Sequence, residues 1–136
     1  MGDISSDIYG YHINSNLLYR VSDATLFNTD RISSSTQGQK CCIKMRKTMA
    51  SLMEYLLAHA RSKYVSDKEL ITHVWEENGL KGSSARLLQV MTALKKNLTD
   101  IGCNEHFIAR INGKGYMIME SRVSILYSSS ASALSL

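Results

Sequence analysis

The spacing of apolar residues changes twice along the chain, and this order of patterns most constrains the fold. Before residue 46, short runs alternate apolar and polar side chains between polar turns, which is typical of strands. From Met49 to Leu57, apolar residues recur at three- and four-residue spacing, which predicts one buried helical stripe. Near residue 107 the strand pattern returns. The chain therefore predicts a sheet, then helices, then a hairpin.

Local signals place the ends of these elements. The strands predicted to form an antiparallel N-terminal sheet are Ile8–Ile13, Leu17–Val21, Thr25–Asn28 and Cys41–Met45. A second helix begins at the capping box Ser66-Asp67-Lys68-Glu69 and ends at Asn78-Gly79. A third helix runs from about Ser84 to Asp100, and Gly102 ends it. Asn112-Gly113 between two alternating runs predicts a tight hairpin, because both residues tolerate positive φ.

These elements predict an α+β fold class: a winged helix-turn-helix with an N-terminal four-stranded antiparallel sheet, three helices and a C-terminal β-hairpin wing. The length of 136 residues fits one domain, which we assign to residues 1–119. Six of the 13 residues from Ser124 to Leu136 are serine, so residues 120–136 are predicted to be a Ser-rich tail or linker. The odd number of three cysteines favours a reducing cytoplasm over a secreted disulfide framework.

Charge is segregated along the sequence. The net charge of +4 comes from 16 basic and 12 acidic residues. Residues 40–63 hold six basic groups and one acid, and residues 81–114 hold six basic groups and two acids. Between them, residues 64–80 hold one basic group and four acids. Such segregation suits a protein that presents a basic face to a polyanion, although a solvated surface can also carry it.

The third predicted helix has one apolar and one basic face. At 100° per residue, the inward stripe consists of Leu87, Met91, Leu94 and Leu98. The residues on the opposite face are Ala85, Arg86, Gln89, Ala93, Lys96 and Asn97, with no acid among them. Arg pairs with guanine and Gln with adenine in a DNA major groove, which admits one helix. Lys95 and Lys96 suit phosphates, since an ammonium is a point charge. The alternative is an ordinary amphipathic helix with a solvated basic face.

The predicted hairpin carries basic and amide side chains at its tip. Arg110, Asn112 and Lys114 lie on one face by alternation. A basic tip of this kind can enter a narrow minor groove, which attracts cations. The alternative is a plain hairpin exposed to solvent.

Three segments in order resemble the winged-helix effector domain of OmpR/PhoB-type regulators, and most closely its ToxR/CadC-like branch. The segments are Tyr64–Trp75, Leu87–Leu98 and Ile108–Tyr116. They match the family patterns V-S-x-x-x-L-x-x-x-V-W of the second helix, I-x-x-L-R-x-x-L of the recognition helix and I-x-T-x-x-x-x-G-Y of the wing. The resemblance spans about Ile8 to Met119 and leaves the segment from Glu120 uncovered.

The resemblance implies a bacterial transcription regulator that binds double-stranded DNA sequence-specifically, with the third helix in the major groove and the wing at the minor groove. The predicted DNA-binding residues are Ser84, Arg86, Gln89, Val90, Ala93, Lys95, Lys96, Asn97, Arg110, Asn112 and Lys114. The loop 78–83 takes the family's position for a contact with RNA polymerase, and relatives often bind repeated half-sites as homodimers. A cytoplasmic, nucleoid-associated protein is expected, or one tethered to the inner membrane if the tail continues into a transmembrane helix of a longer parent.

The chain departs from the family pattern at three positions. Arg110 stands where the wing often has Thr, and Asn112 stands where Arg or Pro is frequent. Ser62 replaces the usual Gly before the second helix. The departures at Arg110 and Asn112 concern the wing, so its contact with DNA is the part of the resemblance that they affect.

Other classes of function have weaker support. Cys41, Cys42, Cys103 and His106 lack the close-paired spacing of a zinc site, so no metal or cofactor is predicted, and a redox role of the cysteines stays open. No Ser/His/Asp set or paired-carboxylate motif indicates an enzyme. The alternative function is a protein-interaction module on a winged-helix scaffold that regulates transcription without direct DNA contact.

Overall fold

A computed structural model of the protein describes residues 7–33, 38–119 and 122–128. Within these ranges the chain forms eight strands and four helices. The strands are β1 (Ile8–Ile13), β2 (Leu17–Arg20), β3 (Thr25–Asn28), β4 (Cys42–Lys44), β5 (Val65–Ser66), β6 (Ile108–Ile111), β7 (Gly115–Ile118) and β8 (Val123–Tyr127). The helices are α1 (Thr29–Ser33), α2 (Lys47–His59), α3 (Asp67–Leu70) and α4 (Ser84–Asp100), with α3 continuing through a π-helical turn, Ile71–Trp75, and a 3-10 turn, Glu76–Asn78.

The N-terminal sheet is antiparallel, and its described strands lie in the order β4-β3-β2-β1-β8. Alternation along the strands turns one set of side chains to the core, where Ile13, Leu17, Tyr19 and Leu26 are fully buried. This arrangement confirms the predicted α+β winged-helix fold, with the four predicted N-terminal strands present and β8 added at the edge beside β1.

The strand β8 corrects the prediction that residues 120–136 are a tail or linker. It pairs with β1 over five register positions, from Ile13 opposite Val123 to Ile8 opposite Tyr127. Val123 is buried, and its carbonyl oxygen accepts a hydrogen bond from the Arg61 guanidinium (3.1 Å). Backbone pairing therefore places residues 123–127 in the N-terminal sheet, and they contain only one serine, Ser124. Glu120, Ser121 and residues 129–136 lie outside the described residues.

Helices α2, α3 and α4 pack around one apolar core beneath the sheet. α2 buries Leu52, Met53, Leu56 and Leu57 of the predicted stripe, whereas Met49 at its start is half-buried. The predicted cap of α3 is confirmed in one half: the Ser66 hydroxyl accepts a hydrogen bond from the Glu69 amide (3.1 Å). The Glu69 carboxylate does not complete the capping box as expected, since it accepts instead from the Tyr55 hydroxyl (2.5 Å). The short helix α1 was not predicted, so the predicted third helix is α4.

The hairpin β6–β7 forms a second antiparallel sheet with β5, in the order β5-β7-β6. Its turn follows the prediction, because Asn112 and Gly113 both have positive φ. The Ile118 amide donates to the Ala60 carbonyl just beyond α2 (2.8 Å), and Tyr116 is buried at the base. The hairpin is thus attached to both α2 and the start of α3.

No helix within the described ranges is long and apolar enough to cross a membrane.

Candidate nucleic-acid interface

Both ends of α4 are fixed by specific hydrogen bonds. At its start, the Ser83 hydroxyl accepts from the Arg86 amide (3.1 Å), which satisfies one of the otherwise unpaired amides of the first turn. Just past its end, the buried Asn28 side chain donates to the Ile101 carbonyl (2.7 Å). The Arg31 guanidinium donates to the Asp100 carbonyl (2.8 Å), so α1 and β3 hold the helix terminus. The N-terminal sheet therefore sets the position of α4.

The inward face of α4 is the predicted one. Leu87, Met91, Leu94 and Leu98 are each at most 2% exposed. On the outside, the predicted DNA-binding residues that are exposed are Ser84, Arg86, Gln89, Ala93 and Lys96. Val90, Lys95 and Asn97 are half-buried. The four leucine and methionine side chains thus orient a polar and basic face outward.

Two details of this face differ from the prediction. The Asn97 amide donates to the Met49 sulfur of α2 (3.2 Å), so Asn97 lies at the junction of α2 and α4 instead of on the free face. The face also carries an acid at its end: Lys96 Nζ lies 3.0 Å from Asp100 Oδ2, one helical turn away. Such exposed i,i+4 pairs contribute only about 0.3–0.5 kcal/mol, so a phosphate can compete for Lys96.

The hairpin tip presents Asn112 and Lys114 to solvent. The third predicted residue of the hairpin, Arg110, is exposed but has partners within the protein. Its two terminal nitrogens lie 2.5 Å and 3.0 Å from the two carboxylate oxygens of Asp67. Hydrogen bonding to this carboxylate raises the pKa of Arg110. The structure therefore brings Asn112 and Lys114 together at the tip and ties Arg110 to α3.

Lys95 faces the space between α4 and the hairpin. Its ammonium lies 5.6 Å from the centroid of the Tyr116 ring. A cavity of about 380 Å³ opens here, and its lining includes Ser84, Leu88 and Arg110. Leu88 also lines this cavity, and its side chain is 60% exposed beside the basic residues Lys95 and Arg110. Leu88 is not among the predicted DNA-binding residues, because the outer face was predicted from its small, amide-bearing and basic side chains.

A second group that the sequence analysis missed lies at the start of α2. Arg46, Thr48 and Met49 line a groove of about 270 Å³ together with Gln89, Val90 and Ala93 of α4. Arg46 is exposed, and it precedes a helix whose first turn holds no acid. The basic block at 40–63 was the signal for this group, but sequence alone did not show that Arg46 borders α4.

The cysteines do not form a disulfide with one another, and all three lie in the described ranges: Cys41 is half-buried, Cys42 exposed and Cys103 buried. Among the described residues, no group of three or more His, Cys, Asp or Glu side chains is placed to hold a metal ion.

Comparisons with known proteins agree with the winged-helix fold. A family described as "Transcriptional regulatory protein, C terminal" matches residues 38–118. The chain is similar in structure to the DNA-binding domain of Escherichia coli CadC, with a TM-score of 0.66 and 17% identity over 90% of this chain and 99% of that one. It is also similar to the C-terminal domain of the nisin resistance regulator NsrR, a lantibiotic response regulator, with a TM-score of 0.52 and 22% identity over 80% of this chain and 91% of that one. No curated protein matches the chain.

Proposed function

Since the chain belongs to the family of transcriptional regulatory protein C-terminal domains, a family of DNA-binding regulators and not of enzymes, we propose that it binds duplex DNA sequence-specifically through α4 and the β6–β7 hairpin. In this proposal α4 enters the major groove and the hairpin tip lies at the minor groove. The observation that carries it is the outward face of α4, where Arg86, Gln89 and Ala93 are exposed above a fully buried apolar stripe.

In this proposal, side chains in the first half of α4 recognise the bases. Arg86 can bridge the O6 and N7 atoms of guanine, and Gln89 can bridge the N6 and N7 atoms of adenine. Ala93 lets α4 approach the bases closely or contacts a thymine methyl. Val90 lies beside Ala93 in the groove between α2 and α4. Each bidentate pair contributes about 1–3 kcal/mol of discrimination against the wrong base.

Phosphate contacts surround this reading surface. Lys95 lies toward the hairpin, Arg46 lies across the groove from Gln89, and Ser84 stands at the start of α4. Lys96 joins them once a phosphate replaces Asp100 as its partner. Lys114 and Asn112 reach the minor groove from the exposed tip. Together these groups set affinity without specifying sequence.

Binding titrations on randomised duplexes at two salt concentrations test this division of roles. Arg86→Ala and Gln89→Ala are expected to change the base preference. Lys95→Ala should weaken all sequences alike and lower the slope of log K against log salt by about 0.9, the value for one phosphate contact. Arg122→Ala removes one exposed positive charge beside β8 and serves as the matched control, with preference and slope expected to match wild type.

Equal losses on every sequence for Arg86→Ala, Gln89→Ala and Lys95→Ala would refute the division of roles. If reversing the charge of both Lys96 and Lys114 left regulation intact, the chain would act as a protein-interaction module instead.

A contact with RNA polymerase is proposed for the loop 78–83, which begins at the end of the 3-10 turn after α3 and leads into α4. Leu80 is 47% exposed there, and it lines a cavity of about 260 Å³ with Lys47 and Asn78. Leu80→Ala should preserve DNA affinity and lower or abolish transcriptional activation in a reconstituted reaction.

Homodimerisation on repeated half-sites stays a prediction. A duplex DNA partner would place the protein in the cytoplasm, at the nucleoid.

A further inference from the structure

The Arg110 side chain crosses the hairpin and ends on the first residue of α3. Arg110 lies on β6 opposite Tyr116 of β7, and Tyr116 in turn lies opposite Val65 of β5. Asp67 directly follows the last residue of β5. To reach the Asp67 carboxylate, the guanidinium passes over the Tyr116 ring, with its central carbon 4.8 Å from the ring centroid.

This arrangement ties three elements together on the side of the hairpin that faces α4. Arg110 of β6 and Lys95 of α4 both lie near the Tyr116 ring, with the Lys95 ammonium 5.6 Å from the ring centroid. The planar guanidinium donates two parallel hydrogen bonds to Asp67, which fixes direction as well as distance. Backbone pairing between β5 and β7 covers Val65 and Ser66, so the side-chain contact adds a second attachment beside a short ladder.

We propose that Arg110 is a positioning residue, which with Asp67 and Tyr116 fixes the angle of the hairpin relative to α4. This inference rests on the proposed function. In it, Arg110 does not contact DNA itself; it holds the hairpin so that Lys114 reaches the minor groove while α4 occupies the major groove. The same side chain stands where the family pattern often has Thr, and Asp67 supplies its partner.

The charges of the pair separate positioning from a phosphate contact. Arg110 and Asp67 cancel each other, so the pair adds no net charge to the interface. A guanidinium that contacted a phosphate would contribute to the salt dependence, at about 0.9 in slope. A guanidinium that only positions the hairpin lowers the free-energy cost of ordering it for binding. Without Arg110 the bound hairpin still places Lys114 at the minor groove, so affinity falls while the slope stays unchanged.

The test uses duplexes selected by the wild-type chain from a random pool, titrated over a series of salt concentrations. The variants are Arg110→Gln, Asp67→Asn and the reversed pair, Asp67→Arg with Arg110→Asp. Each single variant should lower affinity by about two- to fivefold, the range given by the coupling of an exposed ion pair. The slope should stay at the wild-type value. The reversed pair keeps the net charge and should restore affinity to within about twofold.

A second readout follows the hairpin in the free protein. Amide hydrogen exchange from Gly115 to Ile118 should be faster in both single variants and return to the wild-type rate in the reversed pair. Trp75 fluorescence reports whether each variant is folded, and Arg110→Lys replaces Arg110→Gln if the latter is not. Arg110→Lys keeps the charge without the two-pronged geometry, so it should also lose affinity at an unchanged slope.

Two results overturn the inference. A reversed pair that binds more weakly than either single variant would assign Arg110 to a phosphate, because the reversal would then put a carboxylate against the DNA. A fall in slope of about 0.9 for Arg110→Gln would do the same. If the wild-type chain selects no sequence at all, the proposed function fails, and with it the part of the inference that concerns DNA. Faster exchange in the single variants would then still show that the pair holds the hairpin.

Discussion

Replacing Gly115 with alanine should detach the hairpin from β5 while leaving the helical core intact. Gly115 lies opposite Ser66 in the β5–β7 ladder. A Cβ at this position would overlap the Val65 carbonyl oxygen and lie 2.7 Å from the Val65 carbonyl carbon. These are backbone atoms, so no side-chain rotation relieves the overlap, and the two strands must move apart.

The cost follows from what that separation breaks. The ladder pairs two residues of β5 with β7, and a net hydrogen bond contributes about 0.5–1.5 kcal/mol. Breaking both pairs predicts a loss of about 1–3 kcal/mol in the free energy of unfolding, in the range of other overpacking substitutions. With a typical urea m-value of about 1–3 kcal/mol/M, the unfolding midpoint should fall by on the order of 1 M.

Urea unfolding followed by Trp75 fluorescence measures this loss, since the chain has one tryptophan and it is 3% exposed. Gly113→Asn is the matched control in the same hairpin, because a Cβ there meets no atom within 4 Å and Asn tolerates the positive φ. The control should stay within about 0.5 kcal/mol of wild type. An unchanged midpoint for Gly115→Ala, or an equal loss for Gly113→Asn, would refute the reasoning.

Two further predictions concern the core and its pH dependence. Leu94→Ala should lower the free energy of unfolding by about 2–5 kcal/mol because Leu94 is fully buried, whereas Leu88→Ala on the same helix should change it by less than about 0.5 kcal/mol; urea denaturation compares the two. Burial raises the pKa of Glu54 above its ordinary 4.5, although the Tyr19 hydroxyl that donates to it (2.7 Å) acts in the opposite direction. As pH rises, the Glu54 carboxyl therefore loses its proton in the unfolded chain before it does so in the folded chain. The free energy of unfolding should then fall as pH rises above 4.5. Glu54→Gln should remove this fall in denaturation curves measured at a series of pH values. An identical pH profile for Glu54→Gln and wild type would contradict this.

The helices and the hairpin could be predicted because their signals are local. The stripe of α4, the Ser66 cap and the Asn112-Gly113 turn each depend on residues within a few positions of one another. β8 could not be found this way. Its partner β1 lies more than 100 residues earlier, and the serines on either side of the run 125–127 concealed the strand pattern.

The parts of the site that sequence misplaced depend on contacts between distant segments. A helical wheel places Asn97 on the outer face of α4, but its side-chain amide donates a hydrogen bond to the Met49 sulfur of α2. The ion pair between Arg110 and Asp67 joins residues 43 positions apart, and no local sequence pattern at either residue predicts it. Composition indicated a basic block around Arg46, yet only the packing of α2 against α4 brings it beside Gln89.

Methylation interference on a selected duplex tests the proposal that α4 contacts bases in the major groove. Dimethyl sulfate methylates guanine N7 in the major groove and adenine N3 in the minor groove. If α4 lies in the major groove, N7 methylation within the site should block binding of the wild-type chain, and Arg86→Ala should lose this sensitivity at one guanine. Interference confined to adenine N3, with guanine N7 methylation tolerated throughout the site, would contradict it.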